Sequence, residues 1–107
     1  GPLAVNPAPF PRLVAPTPLT ARPFEAPGGL RVIRARYLGG MMSIEIEGLP
    51  GQEYALTLAT PWNVSQVTGV PGARVVNAEE GTATVTVTIP GSGSRYRPID
   101  LEVFFDR

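Results

Sequence analysis

Nine consecutive residues, from Thr82 to Pro90, constrain the fold of this chain more than any other stretch. Polar and apolar residues alternate strictly through Thr82-Ala83-Thr84-Val85-Thr86-Val87-Thr88-Ile89, and most of these residues are β-branched. A strict period of two is typical of a β-strand that has one face in a core and the other in water. We therefore expect the apolar residues of this strand to point inward and its four threonines to point outward.

Six further strand candidates accompany this one. They cover roughly residues 30–38, 42–48, 53–60, 64–69, 73–77 and 98–105. Glycine and proline separate most of them, as at Gly39-Gly40 and Pro50-Gly51. Seven short strands with a turn about every ten residues, and no stretch of helical periodicity, are typical of a β-sandwich. The sequence therefore predicts an all-β fold, a seven-stranded β-sandwich over residues 30–107.

The first hairpin has a register that the sequence itself predicts. A two-residue Gly39-Gly40 loop pairs Leu38 with Met41, and further back it pairs Ala35 with Ile44 and Ile33 with Ile46. The same register places Arg34 opposite Glu45, with Arg36 and Glu47 on the diagonals. A slip of one residue would exchange the two faces, so the pairing of apolar with apolar and cation with anion favours this register.

Residues 1–29 differ in composition from the rest of the chain. They hold eight of the thirteen prolines, which disfavours a helix and favours an extended segment. The segment is also rich in apolar residues, including Phe10 and Phe24, so we expect either an arm docked on its own sandwich or on a neighbouring domain, or an interdomain linker. Gly1-Pro2 is typical of the remnant of a removed affinity tag, and we expect any export signal to lie upstream.

Composition excludes several classes of function. Nine arginines balance nine acidic residues, so no net charge attracts the chain to nucleic acid or to an anionic membrane. The chain has no cysteine and no histidine, which removes thiolate metal sites, the usual general base and the commonest metal ligand. No apolar run approaches the roughly 20 residues of a membrane-spanning helix. We expect no cofactor and no membrane insertion.

Two acidic clusters are the best candidates for catalysis or metal binding. Glu45 and Glu47 share one strand face about 7 Å apart, a spacing compatible with an inverting glycosidase. Arg34 and Arg36 lie across the hairpin, however, and ion pairs with them are the simpler interpretation. Glu79-Glu80, with Asp100 or Asp106, could supply oxygen ligands to calcium, but no calcium-loop motif accompanies them. We therefore predict that the domain is not an enzyme and holds no metal.

Aromatic residues are the best candidates for a binding site. Trp62 is the only tryptophan, and it follows Thr60-Pro61 at the end of a predicted strand. A tryptophan in that place is either a plug at the open end of the core or a stacking platform for a sugar ring, with Tyr37 or Tyr96 assisting.

The last strand carries a second aromatic feature. Ile99, Leu101, Val103 and Phe105 share one face, and the opposite face carries Asp100, Glu102 and Phe104. A phenylalanine on a charged face suggests that something covers it. We therefore take Phe104, with Phe10 and Phe24 of the arm, as candidate interface residues.

The run Gly48-Leu49-Pro50-Gly51-Gln52-Glu53-Tyr54-Ala55-Leu56-Thr57-Leu58 resembles the L-P-G-x-x-Y-x-L-x-L run of fibronectin type III and related immunoglobulin-like domains. In those domains the tyrosine forms the tyrosine corner. The whole layout is similar to the immunoglobulin-like accessory domains at the C-terminus of secreted bacterial carbohydrate-active enzymes.

What the resemblance implies is that the predicted seven-stranded sandwich is immunoglobulin-like. It also implies a non-catalytic C-terminal accessory domain of a larger secreted bacterial protein, extracellular or periplasmic, which packs on a neighbouring domain of its parent chain. Two alternatives stay open. One is a carbohydrate-binding module that holds a polysaccharide with Trp62, Tyr37 and Tyr96. The other is an adhesion or assembly module that docks through the proline-rich arm.

Overall fold

The computed structural model describes residues 10–14, 17–18, 30–78 and 81–106, and these residues form strands, turns and bends without a helix. The prediction of an all-β fold is confirmed. The strands are β1 Arg12–Leu13, β2 Thr17–Pro18, β3 Arg31–Leu38, β4 Met41–Gly48, β5 Glu53–Ala59, β6 Asn63–Thr68, β7 Arg74–Ala78, β8 Thr82–Thr88 and β9 Arg97–Asp106.

The strands form two antiparallel sheets. In sheet A, β5 pairs with β1 and β2 on one side and with β8 on the other, and β8 pairs with β7. Sheet B has the order β3-β4-β9-β6. The seven strands expected from residue 30 onward are present, each within one residue of its predicted ends. β1 and β2 raise the number of strands among the described residues to nine, so a count of seven describes residues 30–106 but not both sheets as a whole.

β1 and β2 lie in the proline-rich segment and form one edge of sheet A. Arg12 lies opposite Ala59, and the Val14 N–H donates a hydrogen bond of 2.8 Å to the carbonyl oxygen of Thr57. Pro11 is buried, and Leu13 packs against the core. An edge strand tolerates proline because one side of its backbone needs no partner. The described part of the arm therefore docks on its own sandwich, whereas Phe24 lies outside the described residues.

One hydrophobic core lies between the two sheets, the arrangement of a β-sandwich. The alternation predicted for β8 is present: its apolar residues are buried, and its threonines are half-buried or exposed because β5 and β7 flank the strand. The buried residues of the core are Met42, Ile44, Ile46, Tyr54, Leu56, Leu58, Val64, Val70, Ala83, Val85, Val87, Ile89, Leu101 and Val103.

The β3–β4 hairpin keeps most of its predicted register. Leu38 pairs with Met41, Ala35 with Ile44 and Arg34 with Glu45, across a turn in which Gly39 and Gly40 have φ values of 65° and 86°. Positive φ at both central positions is the geometry of a type I′ turn, which glycine adopts without strain. The expected pairing of Ile33 with Ile46 was wrong: a bulge between Val32 and Arg34 places Val32 opposite Ile46 instead.

A hydrogen bond of Tyr54 links the start of β5 to the residue that follows β4. The Tyr54 side chain is fully buried, and its hydroxyl accepts a hydrogen bond from the Leu49 N–H at 3.3 Å. Burial raises the pKa of the Tyr54 phenol above its ordinary value, against the smaller lowering effect of that hydrogen bond. A tyrosine hydroxyl bonded to backbone a few residues upstream is the contact that defines a tyrosine corner.

Candidate functional site

Four aromatic side chains from four places in the chain meet beside β3. Tyr37 of β3 stacks on Phe10 with ring centroids 6.4 Å apart and planes 7° apart. It also contacts Trp62, at 6.0 Å and 37°, and the ring of Phe105 edge-on, at 6.0 Å and 74°. We call these four residues the aromatic cluster; Tyr37 lies at its centre, in contact with the other three rings.

Strands and local hydrogen bonds position three members of the aromatic cluster. Tyr37 lies opposite the buried Met42, so its ring points to the inner face of sheet B. Phe105 ends the inner face of β9, as the alternation of that strand predicted. The buried Thr60 holds the backbone of Trp62: its hydroxyl accepts a hydrogen bond from the Trp62 N–H and donates one to the Trp62 carbonyl.

The Tyr37 hydroxyl is an exception to the usual pairing of buried polar groups. It is buried and makes no hydrogen bond to any of the described residues. A buried hydroxyl without a partner costs about 1–3 kcal/mol relative to a hydrated one. The aromatic cluster therefore carries one polar group that a ligand or a rearrangement of the cluster would satisfy.

The structure brings together two of the three residues proposed for sugar binding. Tyr37 and Trp62 are in contact, whereas Tyr96 lies under the guanidinium of Arg31, which is 4.5 Å from its ring centroid. The outermost ring of the aromatic cluster is Phe10, with 55% of its surface exposed, while Trp62 is half-buried. The proposed three-residue platform is thus divided between two places in the fold.

The candidate interface residues also lie apart. Phe10, in the arm, belongs to the aromatic cluster. Phe104 lies opposite Met41 on the outer face of sheet B, where both side chains are half-buried. Phe24 lies outside the described residues. The structure thus gives Phe104 an apolar neighbour within its own sheet.

Exposed apolar side chains gather at one edge of the sandwich. Here β1, at the edge of sheet A, contacts β3, at the edge of sheet B. We call the arm segment around β1, together with β3, the β1–β3 edge. Among the described residues six large hydrophobic side chains are exposed, and all but Val76 belong to this edge: Phe10, Val14, Val32, Ile33 and Leu38.

The outer face of sheet B separates its charges by strand. β3 presents Arg31, Arg34 and Arg36, whereas the central strands β4 and β9 present carboxylates, with Glu45 directly opposite Asp100. The ion pairs expected for Arg34 and Arg36 are not formed: in the described part of the chain the salt bridge within 4 Å is Arg74–Glu53, at 3.1 Å on sheet A. The expectation was wrong in this detail because opposing positions on a sheet leave long side chains free to extend into water.

A polar depression follows β8. It has a volume of about 540 Å³ and is lined by Gly91, Ser92, Gly93, Ser94, Arg95 and Arg97. The two serine hydroxyls have no carboxylate, histidine or lysine beside them in this lining to act as a general base. The depression therefore lacks the pairing that nucleophilic catalysis requires.

Other kinds of site are also missing from the described residues. None of their acidic side chains forms a group of three or more that could hold a metal ion, and Glu79-Glu80, considered above as possible calcium ligands, lie outside the described residues. The described residues also include no helix that is long and apolar enough to cross a membrane.

Sequence reasoning missed two features of this region. β1 and β2 carry no alternation, so proline content concealed the edge strand. The bulge in β3, which shifts the register between Val32 and Arg34, was the second, since no glycine or proline in the strand gave a signal for it. No protein-family model, no curated protein and no solved structure matches this chain.

Proposed function

We propose that this chain is a non-catalytic accessory β-sandwich domain of a larger secreted bacterial protein, which packs on a neighbouring domain of that protein. The observation that carries the proposal is the β1–β3 edge, to which five of the six exposed large hydrophobic side chains of the described residues belong. Apolar side chains concentrated at one place on a surface are typical of a protein interface. The neighbour is the partner in this proposal, and the compartment is extracellular or periplasmic.

The strand neighbours support an immunoglobulin-like assignment within this proposal. Immunoglobulin constant-type domains have the strand orders A-B-E-D and C-F-G. The order arm-β5-β8-β7 reproduces the first, and β6-β9-β4 reproduces the second, with β3 added outside β4. One difference is that β4 occupies the position of strand G, the last strand of an immunoglobulin domain, although β4 precedes β5 in this chain. The Tyr54 contact is a second difference, because it lies on β5, at the position of strand B, whereas the tyrosine corner of these domains lies on strand F, which corresponds to β9 here.

The test uses the sandwich together with the domain that adjoins it in its parent chain. We expect the sandwich, added as a separate chain, to raise the Tm of that domain, and we expect Ile33→Glu to abolish the effect. Val76→Glu is the matched control, since Val76 is the exposed hydrophobic residue away from the β1–β3 edge. No change in Tm with the wild-type sandwich, or an equal loss with Val76→Glu, would overturn the proposal.

A second candidate function is polysaccharide binding, and one observation favours it. Tyr37 and Trp62 are in ring contact, and the Tyr37 hydroxyl beside them lacks a partner. A sugar supplies both an apolar ring face and hydroxyl groups, so it complements such a pair. The measurement is the fluorescence of Trp62 during titration with a panel of soluble polysaccharides.

Replacing Trp62 with alanine separates the two functions. A residue that only plugs the core costs about 3–5 kcal/mol of stability when truncated, and no polysaccharide changes its emission. A platform loses polysaccharide binding, measured by calorimetry because the variant has no tryptophan, and little stability. Emission that shifts with one class of polysaccharide would favour the binding module over the accessory domain.

A further inference from the structure

We propose that β3 binds an extended segment of alternating apolar and acidic residues, which adds to sheet B as a further strand. This inference rests on the proposed function, because it specifies the chemistry of the partner at the β1–β3 edge. β3 is eight residues long and pairs with β4 alone among the described strands. One side of its backbone is therefore available for main-chain hydrogen bonds to an added strand.

The inner face of β3 supplies the apolar half of the pattern. Val32 lies opposite Ile46 and Ala35 lies opposite Ile44, and both partners are fully buried. Their neighbours on β3 are nevertheless open to solvent: Val32 is 37% exposed, and Ala35 is exposed as well. An added strand with apolar residues on this face would extend the core by one strand and bury these side chains.

The outer face of β3 supplies the charged half. Arg31, Arg34 and Arg36 lie on this face, and β4 places Glu47 and Glu45 directly opposite the first two. Arg34 and Arg36 form no ion pair within the described residues, so their guanidinium groups can also turn toward a strand on the other side. Arginine binds carboxylates through two parallel hydrogen bonds, which lysine cannot do.

The same arginines exclude a second copy of β3 as the occupant. Pairing β3 with itself would place arginine beside arginine, and like charges on neighbouring strands repel. Charged side chains on an edge strand are one of the devices that prevent such edge-to-edge association. A strand with the pattern of β4, Ser43-Ile44-Glu45-Ile46-Glu47, is complementary instead, since β3 already pairs with that sequence on its other side.

The test uses the whole chain and a capped peptide that copies residues 42–48. We expect saturable binding by calorimetry, which weakens as salt is raised, and backbone amide shifts centred on residues 31–38 by NMR. The control peptide has both glutamates replaced by lysine and keeps every apolar residue. We expect it to bind about ten-fold more weakly.

Exchanging the charges on the protein tests the arginines directly. In the double variant Arg34→Glu/Arg36→Glu we expect the preference to reverse, so that the lysine peptide binds more tightly than the acidic one. If that variant does not fold, Arg34→Gln/Arg36→Gln should weaken the acidic peptide about ten-fold and leave the lysine peptide unchanged.

Methylated peptides test the main-chain pairing. Two versions of the acidic peptide carry N-methyl groups on alternate amides, and only one edge of an added strand faces β3. We expect one version to bind and the other to fail. Equal binding of both, equal binding of acidic and lysine peptides, amide shifts away from β3, or no saturable binding up to about 1 mM would overturn the inference.

These outcomes separate this inference from the proposed function. If the acidic peptide fails while the neighbouring domain is still stabilised through Ile33, the partner packs on the edge without adding a strand. If both fail, the proposed function falls with the inference. If residues 19–29 of the same chain occupied β3, the acidic peptide would bind only after those residues were deleted. That result would also overturn the inference.

Discussion

At the scale of single residues, two tyrosines with opposite surroundings give a matched pair. The Tyr54 hydroxyl is bonded to the Leu49 N–H, whereas the Tyr37 hydroxyl is buried without a partner. We expect Tyr54→Phe to lower the free energy of unfolding by about 1 kcal/mol and Tyr37→Phe to leave it unchanged or raise it. Urea denaturation measures both. A loss at Tyr37→Phe would show that its hydroxyl has a partner in solution.

The pKa of Tyr54 gives a pH dependence of known sign. Burial raises the pKa of Tyr54 in the folded state above the unfolded value of 10.0, so the folded state binds the phenolic proton more tightly than the unfolded state does. The stability that Tyr54 contributes is therefore complete below pH 10 and is lost as the pH rises further. We expect wild type to lose stability faster than Tyr54→Phe above pH 10, in denaturation curves recorded at several pH values. Parallel curves would contradict the burial of the phenol.

Gly48 is a residue at which the absence of a side chain is required by packing. A Cβ atom at this position would lie 2.8 Å from the Ile89 side chain and 2.9 Å from the Tyr54 ring. Contacts this short force neighbours to move, so we expect Gly48→Ala to cost about 1–3 kcal/mol in chemical denaturation. Ser43→Ala, at an exposed position of the same strand, is the control and should be close to neutral.

At the scale of elements, the arm is the piece whose contribution is easiest to isolate. A chain that begins at Phe10 keeps β1, whereas one that begins at Ala15 loses Phe10, the buried Pro11 and Leu13. We expect the shorter chain to be less stable by about 2 kcal/mol or more, because apolar side chains and the edge of β5 become exposed to water. Thermal unfolding of the two chains measures the difference, and equal Tm values would make the arm a linker.

At the scale of the whole molecule, the order of the strands governs how the chain folds. In sheet B, β4 pairs with β9 across about half the length of the chain, and β6 pairs with β9 across about a third of it. Non-local pairing of this kind slows folding, and we expect refolding in milliseconds to seconds rather than microseconds. Stopped-flow fluorescence of Trp62 measures it, and a microsecond phase that completes folding would contradict the topology.

The sequence by itself determined the elements and their faces. Alternation set the inner face of β8, and turn residues set the ends of the strands. Charge and apolar matching set the pairing of Arg34 with Glu45. These are local properties, because the period of a strand and the φ values of a glycine turn depend on neighbouring residues alone.

Only the tertiary structure decided which strands became neighbours. The docking of β1 and β2 on β5, the bulge in β3 and the meeting of Phe10, Tyr37, Trp62 and Phe105 all depend on contacts between distant segments. Proline content and alternation do not encode such contacts, since many strand orders bury the same apolar faces equally well. The strand order therefore also decided that β3, with its arginines and exposed apolar side chains, stands at an edge.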